Sequence, residues 1–153
     1  MKDFKPNFFK YKKYHNNLII DKLKKKEFKH FKLIIGVIGL KALKSSIIND
    51  KQINACLKNI ARDCKRKYKI WVYCFPNTSL TAKSISVRMG TGIGGIIDWI
   101  FVIKKNNIFL ELVGKYKYIL YKSLKKCKKK LSFSTKIILD NYIQKWKNFK
   151  YFI

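Results

Sequence analysis

The chain has 153 residues, with 36 lysines and arginines against 8 aspartates and glutamates, a formal charge of +28, 48% hydrophobic residues and 15% aromatics. Such an excess repels itself in any compact isolated state and calls for a polyanionic partner, yet the apolar content is too high for a disordered basic tail and sufficient for one packed core. No apolar run approaches the roughly 18 residues of a membrane span, so no membrane insertion is expected.

The opening MKDFKPNFFKYKKYHNN lacks the apolar stretch and cleavage site of a secretory signal. In it Phe4, Phe8, Phe9, Tyr11 and Tyr14 alternate with Lys5, Lys10, Lys12 and Lys13. Rings that stack on unpaired bases, beside ammonium groups that track phosphates, suit RNA. The plain alternative is a solvated tail that orders only on a partner.

Leu33–Leu43 reads as a buried strand with a turn or bulge at Gly36 or Gly39, followed by Lys41 and Lys44 near its exit. From an N-cap at Asn49 or Asp50, Ile53, Cys56, Leu57, Ile60, Ala61 and Cys64 recur at helical spacing, with Lys51, Lys58, Arg62, Lys65 and Arg66 opposite. This predicts an amphipathic helix on a sheet. Lys69–Phe75 alternates like a strand covered on both faces and is ended by Pro76-Asn77.

A second extended segment, Ser84–Val87, leads through Lys83 and Arg88-Met89 into a stretch where Gly90, Gly92, Gly94 and Gly95 remove Cβ atoms and permit positive φ. Only three of the 36 cations are arginines, Arg62, Arg66 and Arg88. In so lysine-rich a chain, an arginine beside a glycine loop points to a need for its planar donor fork. Arg88 is therefore the strongest single candidate for RNA contact.

Asp98–Lys104 and Ile108–Val113 flank Lys105-Asn106-Asn107 and read as a β-hairpin. Lys115–Leu131 places Tyr116, Ile119, Leu120, Ser123, Leu124, Cys127 and Leu131 on one helical stripe, and Ser132–Leu139 reads as a closing strand. Cys56, Cys64, Cys74 and Cys127 form no C-x-x-C pair and fall on apolar faces, so buried free thiols are expected, with no metal and no cofactor. The glycine run is no dinucleotide fingerprint, because a strand follows where a helix should. Nor do the spacings offer a nucleophile with an orienting base, so the chain is not expected to be an enzyme.

Four segments resemble the ribosomal protein uL16 family, the bacterial-type L16 of the large subunit. They are Gly36-x-x-Gly39-Leu40-Lys41-Ala42, Gln52-Ile53 with Ala55, Lys69-Ile70-Trp71-Val72 with Phe75-Pro76, and Val87-Arg88-Met89-Gly90-x-Gly92-x-Gly94. Weaker echoes are Lys5-Pro6, Trp99 and Thr135-Lys136. The resemblance implies an α+β two-layer sandwich of a mixed or antiparallel sheet with two amphipathic helices. It divides the chain into a basic rRNA-binding arm (1–32), a uL16-like domain (33–138) and a C-terminal extension (139–153).

The partners it implies are large-subunit rRNA near the central protuberance and aminoacyl-tRNA site, the tRNA acceptor arm or elbow region, and neighbouring ribosomal proteins. Carried over, Lys5, Lys10, Lys12, Lys13, Lys41, Lys44 and Lys83 would meet RNA backbone and Arg88 phosphate or base. Met89 would pack against the loop base, and Gly90, Gly92 and Gly94 would allow close approach to RNA. Thr91 and Ile93 stand where the family typically has lysines. A standalone basic RNA-binding or membrane-surface protein is the rival reading. The AT-rich coding composition and the absence of a recognisable import signal point to synthesis in an organelle, mitochondrion first and plastid second, with an AT-rich bacterium as the remaining reading.

Overall fold

The computed structural model describes residues 6–8, 12–25, 32–90 and 92–140. They form α1 (Asn16–Lys24), β1 (Ile38–Ala42), β2 (Ser46–Asn49), α2 (Asp50–Asp63), β3 (Tyr68–Val72), β4 (Thr78–Ala82), β5 (Gly95–Ile103), β6 (Ile108–Gly114), α3 (Lys117–Lys128) and β7 (Thr135–Leu139). The strands divide into two sheets, ordered β3-β6-β1-β7 and β2-β5-β4. Every pairing among them is antiparallel. The α2 and α3 helices pack on each other, with α3 against β1, β6 and β7 and α2 against β2 and β5, so the pair spans both sheets. The fold is α+β, as expected.

Helix α2 starts where its sequence directs. Asn49 has extended backbone, and its N–H donates to Gln52 Oε1 at 3.2 Å, half of a capping box. Ile53, Cys56 and Ile60 enter the core, and so does Asn59, whose side-chain amide donates to the Ser123 carbonyl at 3.3 Å across the helix pair. In α3 the buried stripe is Leu120, Ser123, Leu124 and Cys127. Tyr116 and Ile119, expected on that stripe, are exposed, because Tyr116 precedes the first helical turn.

Three strand expectations are corrected. The predicted hairpin of Asp98–Lys104 with Ile108–Val113 does not form, since β5 and β6 belong to different sheets. Each already has two partners, β2 and β4 for β5, and β1 and β3 for β6, which leaves neither a free edge for the other. The intervening turn closes on β1 instead. Asn106 N–H donates to the Ala42 carbonyl at 2.8 Å, and Ala42 N–H donates to the Asn107 carbonyl at 2.9 Å.

Ser84–Val87 is likewise no strand but an exposed turn closed by Val87 N–H to the Ser84 carbonyl at 3.2 Å. The strand in this region is β4, earlier in the chain and built from hydroxyl residues, with Thr78, Ser79 and Thr81 buried. The irregularity expected at Gly36 or Gly39 occurs as a register shift between Leu40 and Lys41 opposite β6.

The N-terminal arm is not uniformly extended, because α1 lies within it and buries Ile19, resting on β5. All four cysteines are free and buried. Cys56 and Cys127 face each other across the α2–α3 contact, with Cys127 Sγ 3.6 Å from the Cys56 carbonyl.

Candidate nucleic-acid interface

The twelve-position connection between β4 and β5 carries Arg88, Gly90, Gly92 and Gly94, and most of its described residues are exposed. Lys83 through Gly90 and Gly92 are all exposed, and Ile85 and Met89 are fully so. Met89 therefore does not pack against the loop base, because the loop stands away from the sheet and offers it no apolar floor.

The glycines divide by role. Gly90 and Gly92 have φ of 104° and 78°, with nothing within 4 Å of where a Cβ would stand. They supply backbone conformation at an open surface. Gly94 is different, because a Cβ there would fall 2.1 Å from the Ala82 carbonyl oxygen. Its close approach is to the end of β4, within the protein, so the expectation that it faces RNA does not describe its main constraint. Lys83 Nζ donates to the Gly90 carbonyl and ties the loop across its neck.

The arm meets this loop in space. Ser79 Oγ donates to the Lys12 carbonyl at 2.9 Å, seating the arm on β4, and Lys13 Nζ donates to the Ile93 carbonyl at 3.4 Å. A cavity of about 450 Å³ lies between His15, Asn16, Thr81, Lys83, Gly92 and Gly94. No aspartate or glutamate occurs in residues 4–20 or 83–97, so the two stretches that meet here bring lysines and an arginine but no acidic side chain of their own. Lys12, Lys13, Lys83 and Arg88 thus belong to one region.

Lys41 and Lys44 do not join it. Lys41 lies in β1, in the other sheet, and Lys44 in the connection from β1 to β2. Lys5, Lys10 and Thr91 lie outside the described residues, as does the extension from residue 141 onward.

One cationic surface escapes the reading by motif. On α3, exposed Tyr118 and Tyr121 line an open groove with Lys122, Lys125 and Lys129, on the face away from the buried stripe. Its signal in the sequence is the tyrosine–lysine alternation of KYKYILYKSLKK, which the apolar stripe overshadows. Rings and ammonium groups so placed can stack on bases and pair with phosphates. The basic end of α2 is partly committed within the protein: Lys126 Nζ pairs with Asp63 at 2.9 Å, and Arg62 donates to Asn59 Oδ1 at 3.0 Å.

Among the described residues no group of three or more His, Cys, Asp or Glu side chains could hold a metal ion, and no helix is long and apolar enough to cross a membrane. The most buried carboxylate, Glu111, is consumed by backbone: it accepts N–H groups from Ile34, Ile35 and Gly36 at 3.1, 3.0 and 2.6 Å.

Comparison with known proteins agrees with the segments singled out above. The family model described as ribosomal protein L16p/L10e matches residues 6–138. The large ribosomal subunit protein uL16 of Petrotoga mobilis is 34% identical over 133 residues, covering 87% of this chain and 92% of the relative. That of Kosmotoga olearia is 36% identical over the same length and shares. The uL16 protein of Latilactobacillus sakei is 39% identical over 103 residues, 67% of this chain and 72% of the relative. The match runs from the basic arm through the glycine loop to the last strand, and on that evidence the chain belongs to the bacterial-type uL16 family of ribosomal proteins, a structural and non-catalytic class.

Proposed function

We propose that this chain is a structural constituent of the large ribosomal subunit that binds large-subunit rRNA near the central protuberance and the aminoacyl-tRNA site and supports tRNA positioning. The observation that carries the reading is the junction of arm and loop through Ser79–Lys12 and Lys13–Ile93, which brings Lys12, Lys13, Lys83 and Arg88 into one region. A general rRNA-binding role follows from the family. The tRNA-facing part rests on the loop's exposure, its two positive-φ glycines and the exposed side chain of Arg88.

Where the family typically places loop lysines, this chain has Thr91 and Ile93. Lys13, reaching the Ile93 carbonyl, brings an ammonium group back to that position from the arm. Arm and loop then act together: the arm supplies charge, and the loop supplies backbone close enough for RNA to approach. The partners on this reading are rRNA, the tRNA acceptor arm or elbow region, and adjacent ribosomal proteins. The ribosome concerned is that of a mitochondrion, or of a plastid in the second instance, a reading that rests on the excess of lysine over arginine, as an AT-rich coding sequence would give.

Sedimentation of organelle lysate tests this. In magnesium, the protein migrates with the large subunit, and chelation with RNase releases it. Migration as a free or membrane-bound species in both conditions would overturn the ribosomal role and favour the membrane-surface alternative. Co-migration with large subunits from the cytosol of a bacterium, and not from an organelle, would overturn only the compartment.

A further inference from the structure

Lys104 follows β5 and opens the turn closed by Asn107 N–H to its own carbonyl at 3.2 Å. Its side chain is 7% exposed, and its Nζ is buried with no hydrogen-bond partner. Asn107 Oδ1, in the same turn, is also buried and unpartnered. Both residues line a cavity of about 220 Å³ together with Lys22, Asn77, Thr78 and Phe101. Lys22 Nζ, from α1, donates to Thr78 Oγ1 at 3.3 Å, and Thr78 Oγ1 donates to Asn77 Oδ1 at 3.1 Å.

The cavity therefore has two ammonium groups, a hydroxyl and two amides in its wall, and no carboxylate. A buried cation without a counter-charge is costly, and a neutral amide oxygen does not compensate it. An anion with several acceptor oxygens would complete the site. Lys104 and Lys22 would donate to it from two sides, and rotation of the Asn107 amide would add a further N–H donor. The volume has room for a tetrahedral oxyanion together with several waters. Phe101 closes one wall with an apolar surface, which lowers the local dielectric and strengthens the pairing.

We propose that this cavity between α1, β4 and the β5–β6 turn is a phosphate site, whose ligand is a phosphodiester of the RNA backbone. The RNA source rests on the rRNA-binding role proposed above; the anion chemistry does not. The site lies on the same sheet as the glycine loop and at the α1 end of the arm, so one phosphate held here would fix how the arm enters the RNA.

Two arms test it on the folded full chain. In the first, inorganic phosphate is titrated while the Asn107 side-chain amide resonance is followed. A saturable shift is expected, lost in Lys104→Met and weakened in Lys22→Met; the latter alters an exposed residue and keeps the test valid should Lys104→Met fail to fold. In the second, binding to deproteinised large-subunit rRNA is measured against salt. Lys104→Met should lower the slope of log K on log[salt] by about one, as for a lost phosphate contact, while Lys104→Arg keeps it. A phosphate shift with an unchanged RNA slope would assign the site to free phosphate. No shift and no slope change would overturn the proposal. Failure of every variant and the parent chain to bind rRNA would overturn the ribosomal role instead, with the phosphate arm still deciding the site.

Discussion

Glu111 Oε2 accepts the N–H of Gly36 at 2.6 Å, and a Cβ at residue 36 would stand 2.5 Å from Glu111 Cβ. The two residues define each other. The carboxylate sits fully buried at the middle of β6, between Gly39 of β1 and Trp71 of β3, and gathers three consecutive amides of the chain entering β1. Without it those amides would lose their acceptor where the chain enters β1. Nearby, burial and then the negative charge of Glu111 push the Tyr73 hydroxyl above its ordinary pKa.

Glu111→Gln should therefore destabilise the fold by about 2–4 kcal/mol, since it removes the charge and turns one of two acceptors into a donor facing donors. Gly36→Ala should cost about 1–3 kcal/mol by overpacking. Both are read as a lowered urea midpoint with an unchanged slope. Wild-type midpoints in both variants would show that the contact carries no stability.

Glycines of the loop should separate into two kinds. Gly94→Ala forces a Cβ into the Ala82 backbone and should cost about 3 kcal/mol of stability. Gly92→Val meets open space, so its cost is the strained φ, about 1–2 kcal/mol confined to the loop, and the larger loss should be in RNA binding. Equal unfolding midpoints for the two would contradict this division.

Arg88→Ala and Lys13→Ala should leave the unfolding midpoint unchanged, because neither side chain enters the core. Each should weaken rRNA binding and lower the salt slope by about one. Arg88→Lys should restore the slope but not the full affinity, since a point charge cannot reproduce the planar fork. Normal subunit assembly and normal peptide-bond formation with Arg88→Ala would refute its assignment.

Alkaline pH should loosen the core. Burial raises the thiols of Cys64 and Cys74 from an ordinary value of 9.0. The hydrogen bond between Cys56 and Cys127 raises the first and lowers the second, opposed shifts within one pair, so the pH argument rests on Cys64 and Cys74. A thiol raised in the folded state gives up its proton more readily unfolded. Its contribution is thus complete below the unfolded value and is lost as pH climbs toward the folded one. Urea midpoints should be flat from about pH 6 to 8 and fall above about pH 9, before the lysines discharge and relieve their own repulsion. Thiol reagents should label buried Cys64 and Cys74 only at the rate of unfolding. A midpoint that rises between about pH 9 and 10 would contradict the argument.

Local chemistry was well legible in this sequence and strand partnership was not. The cap at Asn49, the spacing of Ile53, Cys56 and Ile60, and the stripe of Leu120, Leu124 and Cys127 each encode their element within a few residues. By contrast Lys105-Asn106-Asn107 has the form of a hairpin turn, with Asn106 at φ 70° as such turns require. Which sheet the next strand joins depends on edges supplied by β1 and β3, far away in sequence. Ile85 and Val87 alternate like a half-buried strand yet stand in solvent, so apolar alternation did not mark a core there. The strand β4 was hidden by its own composition, since Thr78, Ser79 and Thr81 are polar residues buried under the arm.

The joining of Lys12 and Lys13 to the glycine loop was equally out of reach, because it runs through a serine hydroxyl and a backbone carbonyl, neither of which leaves a pattern. The candidates Arg88, Gly90 and Gly92 were legible because arginine is rare here and glycines cluster. The aromatic–cationic face of α3 was readable in principle as a second periodicity on the same helix.

The most direct measurement is photo-crosslinking from position 88 and from position 13 in assembled large subunits, with the adducts mapped on RNA. The account predicts that both positions label RNA, with adducts from position 13 falling on rRNA and those from position 88 on rRNA or bound tRNA close by. Crosslinks from both positions to protein alone, while Tyr118 or Tyr121 on α3 labels rRNA, would show that the molecule faces RNA with its helices and would contradict the arm and loop as its RNA-binding surface.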